Sequence, residues 1–302
     1  MNASELLLWI SVLIVLQLAV GIAMAARRKI PSSRSPPPPV EALPPTGAWS
    51  GWRDFLVAER SYEDRANTQC SFCLEPLDRA PLEPFKPGQF LTFSLPASDS
   101  IRSSASNGTI TRCYSLSDCP GETSYRITVK RISAPAAAPQ APAGVASSYL
   151  HDRIQIGDVV KIRAPAGRFY LDTESPLPIV LVAGGIGITP MLSMLLWCAN
   201  EQPQRSLHLY YGVRNGEDHA FKATLQSAAA RFEHFKLCVA YSRPTPSDIP
   251  GADFHHAGRV DVNLIRATLP HGRHQFYVCG PRRQAICRLK FSILDDGDRG
   301  QC

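Results

Sequence analysis

The chain has 302 residues, 44% hydrophobic and 19% charged. That composition excludes a disordered chain and is ample for two domains with their own cores. The net charge of +6 comes from Arg and Lys scattered along the chain, which argues against a nucleic-acid-binding stripe.

The first element in chain order is apolar. From Leu6 to Ala26 no residue is charged. A helix over this run, at about 1.5 Å per residue, reaches roughly 30 Å, the hydrocarbon thickness of a bilayer. Arg27-Arg28-Lys29 follow it and only Glu5 precedes it. By the positive-inside preference the N-terminus lies outside and the rest lies in the cytoplasm. A cleaved signal peptide wants a basic start and a shorter apolar core, and neither is present. The expectation is a single-pass, membrane-anchored chain with its transmembrane helix in residues 1–30. Residues 31–48 carry Pro36-Pro37-Pro38-Pro39 and Pro44-Pro45 and read as an extended, semi-rigid linker.

Residues 49–173 read as β. Strand-like runs are Phe55 to Ala58, Gln69 to Leu74, Gln89 to Leu95, Tyr125 to Lys130 and Val159 to Arg163, punctuated by Pro, Gly and Ser. Many short strands in succession predict an antiparallel barrel or sandwich. Ser98 to Gly108 and Ala134 to Ala143 read as surface loops.

Residues 174–302 alternate. Pro178 to Ala183 is wholly apolar, as a strand buried on both faces should be. Pro190 to Ala199 and Ala220 to Phe232 have helical patterns. Leu207 to Tyr211, Phe235 to Tyr241 and Phe276 to Cys279 have strand patterns. The alternation predicts a doubly wound α/β parallel sheet.

Nine cysteines are present. Cys70 and Cys73 form a lone C-x-x-C within a strand-like run. No second pair at metal spacing accompanies them, and residues three apart in a strand point to opposite faces, so structural thiols are expected and no metal site. Plant-type iron–sulfur spacing is absent.

Chemistry enters at Gly184-Gly185-Ile186-Gly187, between the apolar strand and the next helix. Glycines permit a tight turn there and let backbone N–H groups approach a pyrophosphate at a helix start. Thr189 and Pro190 follow, with Pro190 suited to a first helical turn. The spacing is not the ordinary G-x-G-x-x-G.

The motifs in order are Lys86-Pro87-Gly88-Gln89-Phe90, Arg112-Cys113-Tyr114-Ser115, Gly144-Val145-Ala146-Ser147, Gly157-Asp158-Val159 and Pro165-Ala166-Gly167-Arg168-Phe169. The glycine turn, Tyr241-Ser242-Arg243-Pro244 and Cys279-Gly280-Pro281 complete them. Through roughly residues 52 to 283 the chain resembles the ferredoxin–NADP reductase superfamily, above all the reductase part of flavohaemoglobins and of flavin/iron–sulfur oxygenase reductases. The resemblance implies an antiparallel β-barrel FAD domain followed by an NAD(P) domain.

It also implies residue roles. Arg112 is expected on the FAD pyrophosphate, where a planar charged fork suits the job. Tyr114 is expected against the flavin, Ser115 at the flavin N5 edge, and Val129 and Lys130 lining the ring. Gly144 and Ser147 would cap the helix Ser147 to Arg153 and offer N–H and O–H groups to the pyrophosphate; Ser147 alone is equally explained as a simple N-cap. Gly184, Gly185, Gly187, Thr189 and Pro190 are expected at the dinucleotide. Cys279 is expected near the nicotinamide C4, as a positioning group rather than a nucleophile, and Gly280 and Pro281 would leave room for that ring. Ser242, with Arg243 or Arg214, is placed near the adenosine 2′-position, which leaves NADH and NADPH both open.

After Pro281 the chain departs from the family. Arg282-Arg283-Gln284 and the polar tail ending in Cys302 resemble no closing strand, and a truncated or altered C-terminus without a ferredoxin domain is expected. The reading is an FAD-dependent NAD(P)H oxidoreductase handing electrons to a ferredoxin or other iron–sulfur protein, a haem protein or an oxygenase component. A diaphorase acting on small acceptors, or a non-catalytic nucleotide-binding remnant, are the alternatives.

Overall fold

The computed structural model describes residues 49–97, 108–134, 138 and 140–281. Strands β1 (Arg53–Tyr62), β2 (Gln69–Pro76), β3 (Phe90–Pro96), β4 (Thr109–Ser115), β5 (Tyr125–Lys130) and β6 (Val159–Ala166) make one antiparallel sheet in the order β4-β3-β6-β1-β2-β5. A single bridge from Leu116 to Ile127 joins its two edges just past β4, so the sheet curls toward closure. Phe55, Val57, Phe72, Leu74, Leu91, Phe93, Leu95 and Ile127 fill its interior at alternate positions, as a pleated strand requires. Helix α1 (Val145–Asp152) adds Ala146 and Leu150 to this core. Cys70 is buried and Cys73 half-buried, on opposite faces of β2.

The second sheet is parallel. It comprises β7 (Ile179–Gly184), β8 (Leu207–Val213), β9 (Phe235–Tyr241), the two-residue β10 (His256–Ala257) and β11 (Gln275–Cys279), in the order β10-β9-β8-β7-β11. Helices α2 (Ile188–Glu201), α3 (Lys222–Arg231) and α4 (Val262–Thr268) cover it. Ile179, Leu181 and Ala183 pack with Met191 and Leu192 of α2 and Leu225 of α3, whereas Val180 and Val182 pack with Ile265 of α4. β7 is therefore buried on both faces, which is why it is apolar throughout. The strand order reverses between β7 and β11, the switch point at whose carboxyl ends α/β sheets of this kind form a ligand crevice.

Two elements depart from the sequence reading. β4 was not among the strand-like runs, although Arg112–Ser115 alone also reads as a plain strand segment; it is an edge strand, exposed at Thr109, Thr111, Arg112 and Cys113. α4 is short, and its start is marked by Asp261, whose Oδ1 accepts the Leu264 N–H.

The two sheets belong to one compact unit and share a polar seam. Ala66 N–H donates to Glu217 O, Phe221 N–H to Glu63 O, and Gln69 Nε2 to Asp218 O. Ser193 Oγ of α2 donates to Asp118 O. Phe221 holds a left-handed backbone, φ +58°, and lies under the Arg126 guanidinium of β5. The connection between the sheets is clamped as well. Arg205 donates to Asp172 O and Leu177 O, Gln202 Nε2 to Thr173 O, and the Asp172 N–H to the Tyr277 hydroxyl.

The expectation of a single-pass, membrane-anchored chain with cytoplasmic domains is corrected. Among the described residues no helix is long and apolar enough to cross a membrane. α2, the longest described helix, has 14 residues, or roughly 21 Å against the ~30 Å a bilayer core demands. Leu6 to Ala26, the linker at 31–48, the loop at 98–107 and the tail beyond Pro281 lie outside the described residues.

His219, at the seam, is 4% exposed and hydrogen-bonded through Nδ1 to the Tyr241 hydroxyl at 2.8 Å. Burial, seconded by Lys222, lowers its pKa to about 4 from an ordinary 6.5. The unfolded chain therefore binds this proton first, and stability present above pH 6.5 is lost as the pH falls toward 4. The full loss is about 3 kcal/mol. Urea unfolding of wild type and His219→Gln between pH 7 and pH 4.5 checks it: the wild-type midpoint should fall more steeply, and parallel curves would exclude His219 as the cause.

Candidate active site

The crevice is built from backbone. β7 and β11 run side by side, with Ala183 opposite Cys279. The chain leaves β7 through a 3-10 turn, Gly185–Gly187, and enters α2. Gly185 has φ +52° and open space where a side chain would stand. At Gly187 a Cβ would fall 2.2 Å from the Cys279 carbonyl oxygen and 2.9 Å from the Gly280 nitrogen. Only glycine permits that approach. No side chain caps the start of α2; Thr189 Oγ1 turns back to Ile186 O, and Pro190, in the first turn, has no N–H to satisfy. The positive end of the helix dipole thus faces the turn between β7 and α2. This cradle fits a pyrophosphate.

Facing it is the first sheet. β5 touches the Gly185–Gly187 turn. On β4, Ile110, Arg112 and Tyr114 share one face and Cys113 and Ser115 the other. Tyr114 is half-buried, its ring edge-on to Phe93 at 5.4 Å. Burial pushes its pKa up to about 12, against the pull of Arg112, so the hydroxyl remains a donor at neutral pH. Arg112 is exposed, with Nη1 on Thr111 O. Ser115 ends β4 opposite Phe90. A half-buried ring, an exposed guanidinium and a strand-end hydroxyl fit a flat, anionic-tailed group such as FAD.

Several expected residues are placed differently. Val129 is buried in the core, with its carbonyl bonded to His151 Nε2, so its side chain lines no crevice. Helix α1 begins at Val145, with Gly144 as N-cap and no side-chain cap. Ser147 Oγ donates to Gly144 O and accepts from Ile132 N, which commits its proton inside the protein. Ser148, which the sequence reading passed over, has a buried hydroxyl with no hydrogen-bond partner in the same turn. Its one signal was its place beside Ser147.

At the carboxyl ends of β8 and β9, Ser242 Oγ donates to Val213 O and Arg243 N–H to Arg214 O. The Arg243 side chain is exposed and has no ion pair among the described residues. Arg214 is held by Asp218, with Nη2 to Oδ1 at 2.8 Å and Nε to Oδ2. Lys130 Nζ, from β5, lies 3.7 Å from the same carboxylate. Burial raises the Asp218 pKa, but Arg214 and Lys130 outweigh it and hold the carboxyl below its usual range. This cross-domain group had no sequence signature. Cys279 is half-buried, and Gly280 and Pro281 turn outward after it.

An antiparallel flavin-type sheet joined to a parallel nucleotide sheet, with a glycine turn at the switch point, defines a two-domain flavin and pyridine-nucleotide oxidoreductase. Residues 84–170 match the oxidoreductase FAD-binding domain family and residues 181–287 the oxidoreductase NAD-binding domain family. A flavohemoprotein of Rhizobium meliloti is 40% identical over 235 residues, covering 78% of this chain and 55% of that protein. One from Bacillus subtilis is 36% identical, covering 78% and 54%. The chain thus spans a little over half the length of these relatives. The flavohem-like FAD/NAD binding domain of nitric oxide dioxygenase from Vibrio cholerae superposes with a TM-score of 0.67 at 29% identity, over 82% of this chain and 94% of that one. Phthalate dioxygenase reductase gives a TM-score of 0.57 at 28% identity, over 81% and 64%. The chain belongs to the ferredoxin–NADP reductase superfamily, with FAD-binding and NAD-binding oxidoreductase domains of the flavohemoprotein reductase type.

The Gly187 contact is directly testable. Gly187→Ala forces backbone apart at the Cys279 carbonyl, and dinucleotide affinity should fall at least tenfold while FAD content stays at the wild-type level. Calorimetric titration with NADP+ and NAD+, beside the flavin absorbance of the purified variant, measures both; unchanged affinity would show that the turn does not hold the dinucleotide.

Proposed function

We propose that this chain is an NAD(P)H oxidoreductase that delivers electrons through FAD to a partner protein carrying haem, an iron–sulfur cluster or an oxygenase centre. The observation that carries this reading is the convergence at one switch point: the glycine turn after β7, Cys279-Gly280 after β11, and β5 of the first sheet against the turn. When bound, FAD would supply the redox chemistry, a two-electron acceptor for the single hydride of the nicotinamide that can give those electrons up one at a time.

The chain's own residues bind and orient. Arg112 offers a fixed charge to a pyrophosphate, and Tyr114, neutral at working pH, packs its ring and donates its hydroxyl. Ser115 holds a hydroxyl at the N5 edge. The uncapped start of α1, with Gly144 as N-cap and the free Ser148 hydroxyl, receives the FAD phosphates; Ser147 secures that turn from within. Gly184, Gly185, Gly187, Thr189 and Pro190 shape the dinucleotide turn. Cys279, Gly280 and Pro281 define where the nicotinamide lies, with Cys279 positioning rather than attacking. Ser242, Arg243 and Arg214 meet the adenosine end. Lys130 sits between the flavin side and Asp218. The resemblance of the matched domains to flavohemoprotein and oxygenase reductases supports the partner class.

Anaerobic stopped-flow mixing of the purified, FAD-loaded full chain with NADH and with NADPH tests this. The oxidised-flavin band should bleach rapidly. Ser115→Ala should slow the bleaching roughly ten- to a hundredfold, as loss of a hydrogen bond worth ~1.5–3 kcal/mol at a developing charge implies. A chain that binds no flavin, or whose flavin stays oxidised with either nucleotide, overturns the reading.

A further inference from the structure

Leu116 and Ile127 form the bridge that joins the two edges of the first sheet. Antiparallel continuation of that bridge sets Val129 level with Tyr114 and Lys130 level with Cys113. Leu116, Ile127 and Val129 are buried in the core, so Thr128 and Lys130 share the outer face with Ser115 and Ser117. The Ser117 and Thr128 hydroxyls meet on that face at 2.8 Å. An ammonium group therefore stands on the same face as Ser115, alongside the strand that carries Arg112 and Tyr114.

The counter-charge comes from the other domain. Lys130 Nζ lies 3.7 Å from Asp218 Oδ1, and its side chain is 29% exposed. Gln69, the cross-strand neighbour of Lys130, donates through Nε2 to the Asp218 carbonyl at 3.0 Å. Two adjacent side chains of the first sheet thus converge on one residue of the second. Asp218 is buried, and Arg214 binds both of its carboxylate oxygens, which holds it in place. Burial opposes its charge, but Arg214 and Lys130 outweigh burial and the carboxyl stays ionised. Asp64, whose oxygens are taken by Thr68 and Gln69, does not compete for the cation.

A reduced flavin carries more negative charge than an oxidised one. A cation beside it favours reduction, and a carboxylate paired with that cation opposes reduction. We propose that Asp218 is a positioning residue that holds the Lys130 ammonium at the domain seam and offsets its charge, and so keeps the reduction potential of the flavin low enough to pass electrons on. The proposal rests on the reading of the chain as an FAD-dependent NAD(P)H oxidoreductase. Loss of the carboxylate should shift the balance of oxidised and reduced flavin about tenfold, or ~30 mV for a two-electron couple.

The test is spectroelectrochemical titration of the FAD-loaded full chain, which reads the flavin midpoint with no nucleotide present. Asp218→Asn should raise the midpoint by about the stated amount. Lys130→Gln, which serves even if Asp218→Asn folds poorly, should lower it. Lys130→Arg restores a cation within reach of Asp218 and should return the midpoint close to wild type. In the Lys130→Gln background, Asp218→Asn should move the midpoint less than half as far, because Asp218 acts through Lys130. An Asp218 with a structural role alone would change stability or flavin content and leave the midpoint of the bound flavin where it is. A midpoint that is unmoved, or moved the other way, in either folded single variant overturns the proposal. Equal shifts from Asp218→Asn with and without Lys130 overturn it too, and in both cases the bound, reducible flavin still stands. Wild type that binds no flavin overturns the underlying reading instead.

Discussion

The arrangement of the crevice depends on a single backbone contact. Gly187 passes so close to the carbonyl of Cys279 that a methyl group has no room between them. That approach draws the glycine turn after β7 against the strand end of β11, the geometry on which the proposed dinucleotide site rests. Burial of β7 on both faces supports the contact, because a strand packed by α2 and α3 on one side and α4 on the other cannot drift. The polar seam then sets the first sheet opposite, through bonds from Glu63, Ala66 and Gln69 to the segment ending at Phe221.

What could be read from the sequence was local. β9 falls where its alternating and apolar residues indicate, over Phe235–Tyr241. The glycine turn and Cys279-Gly280 announce themselves because turn chemistry is written in consecutive residues. β4 showed only in part, as the plain strand reading of Arg112–Ser115, because an edge strand open to solvent has little alternation to display. Ser147 read equally as a phosphate ligand or as a simple N-cap; its hydroxyl donates to Gly144 O three residues back, a local bond, and accepts from Ile132 N, a partner that no spacing rule reveals. The Lys130, Asp218 and Arg214 group was invisible for a plainer reason. Two cations and a carboxylate distributed along a chain are unremarkable until tertiary structure assembles them, and the attraction that joins them acts through space rather than along sequence.

The energetics divide in the same way. Apolar side chains such as Leu181 and Phe93 contribute roughly 1.5–3 kcal/mol each by leaving water, and they hold the sheets. The charged group at Asp218 adds little net stability, since desolvation offsets most of its attraction. The buried His219 belongs to the same seam, and its lowered pKa makes the junction between domains lose stability in acid.

The clamp on the connecting segment has a dynamic consequence. Leu171 donates its N–H to Pro87 O in the first domain, while the next residue, Asp172, is bonded through both N–H and carbonyl to the second. Hardly any slack chain lies between those attachments. A tether of that kind suppresses swinging of one lobe against the other, so two molecules held in the crevice meet by construction rather than by diffusive search.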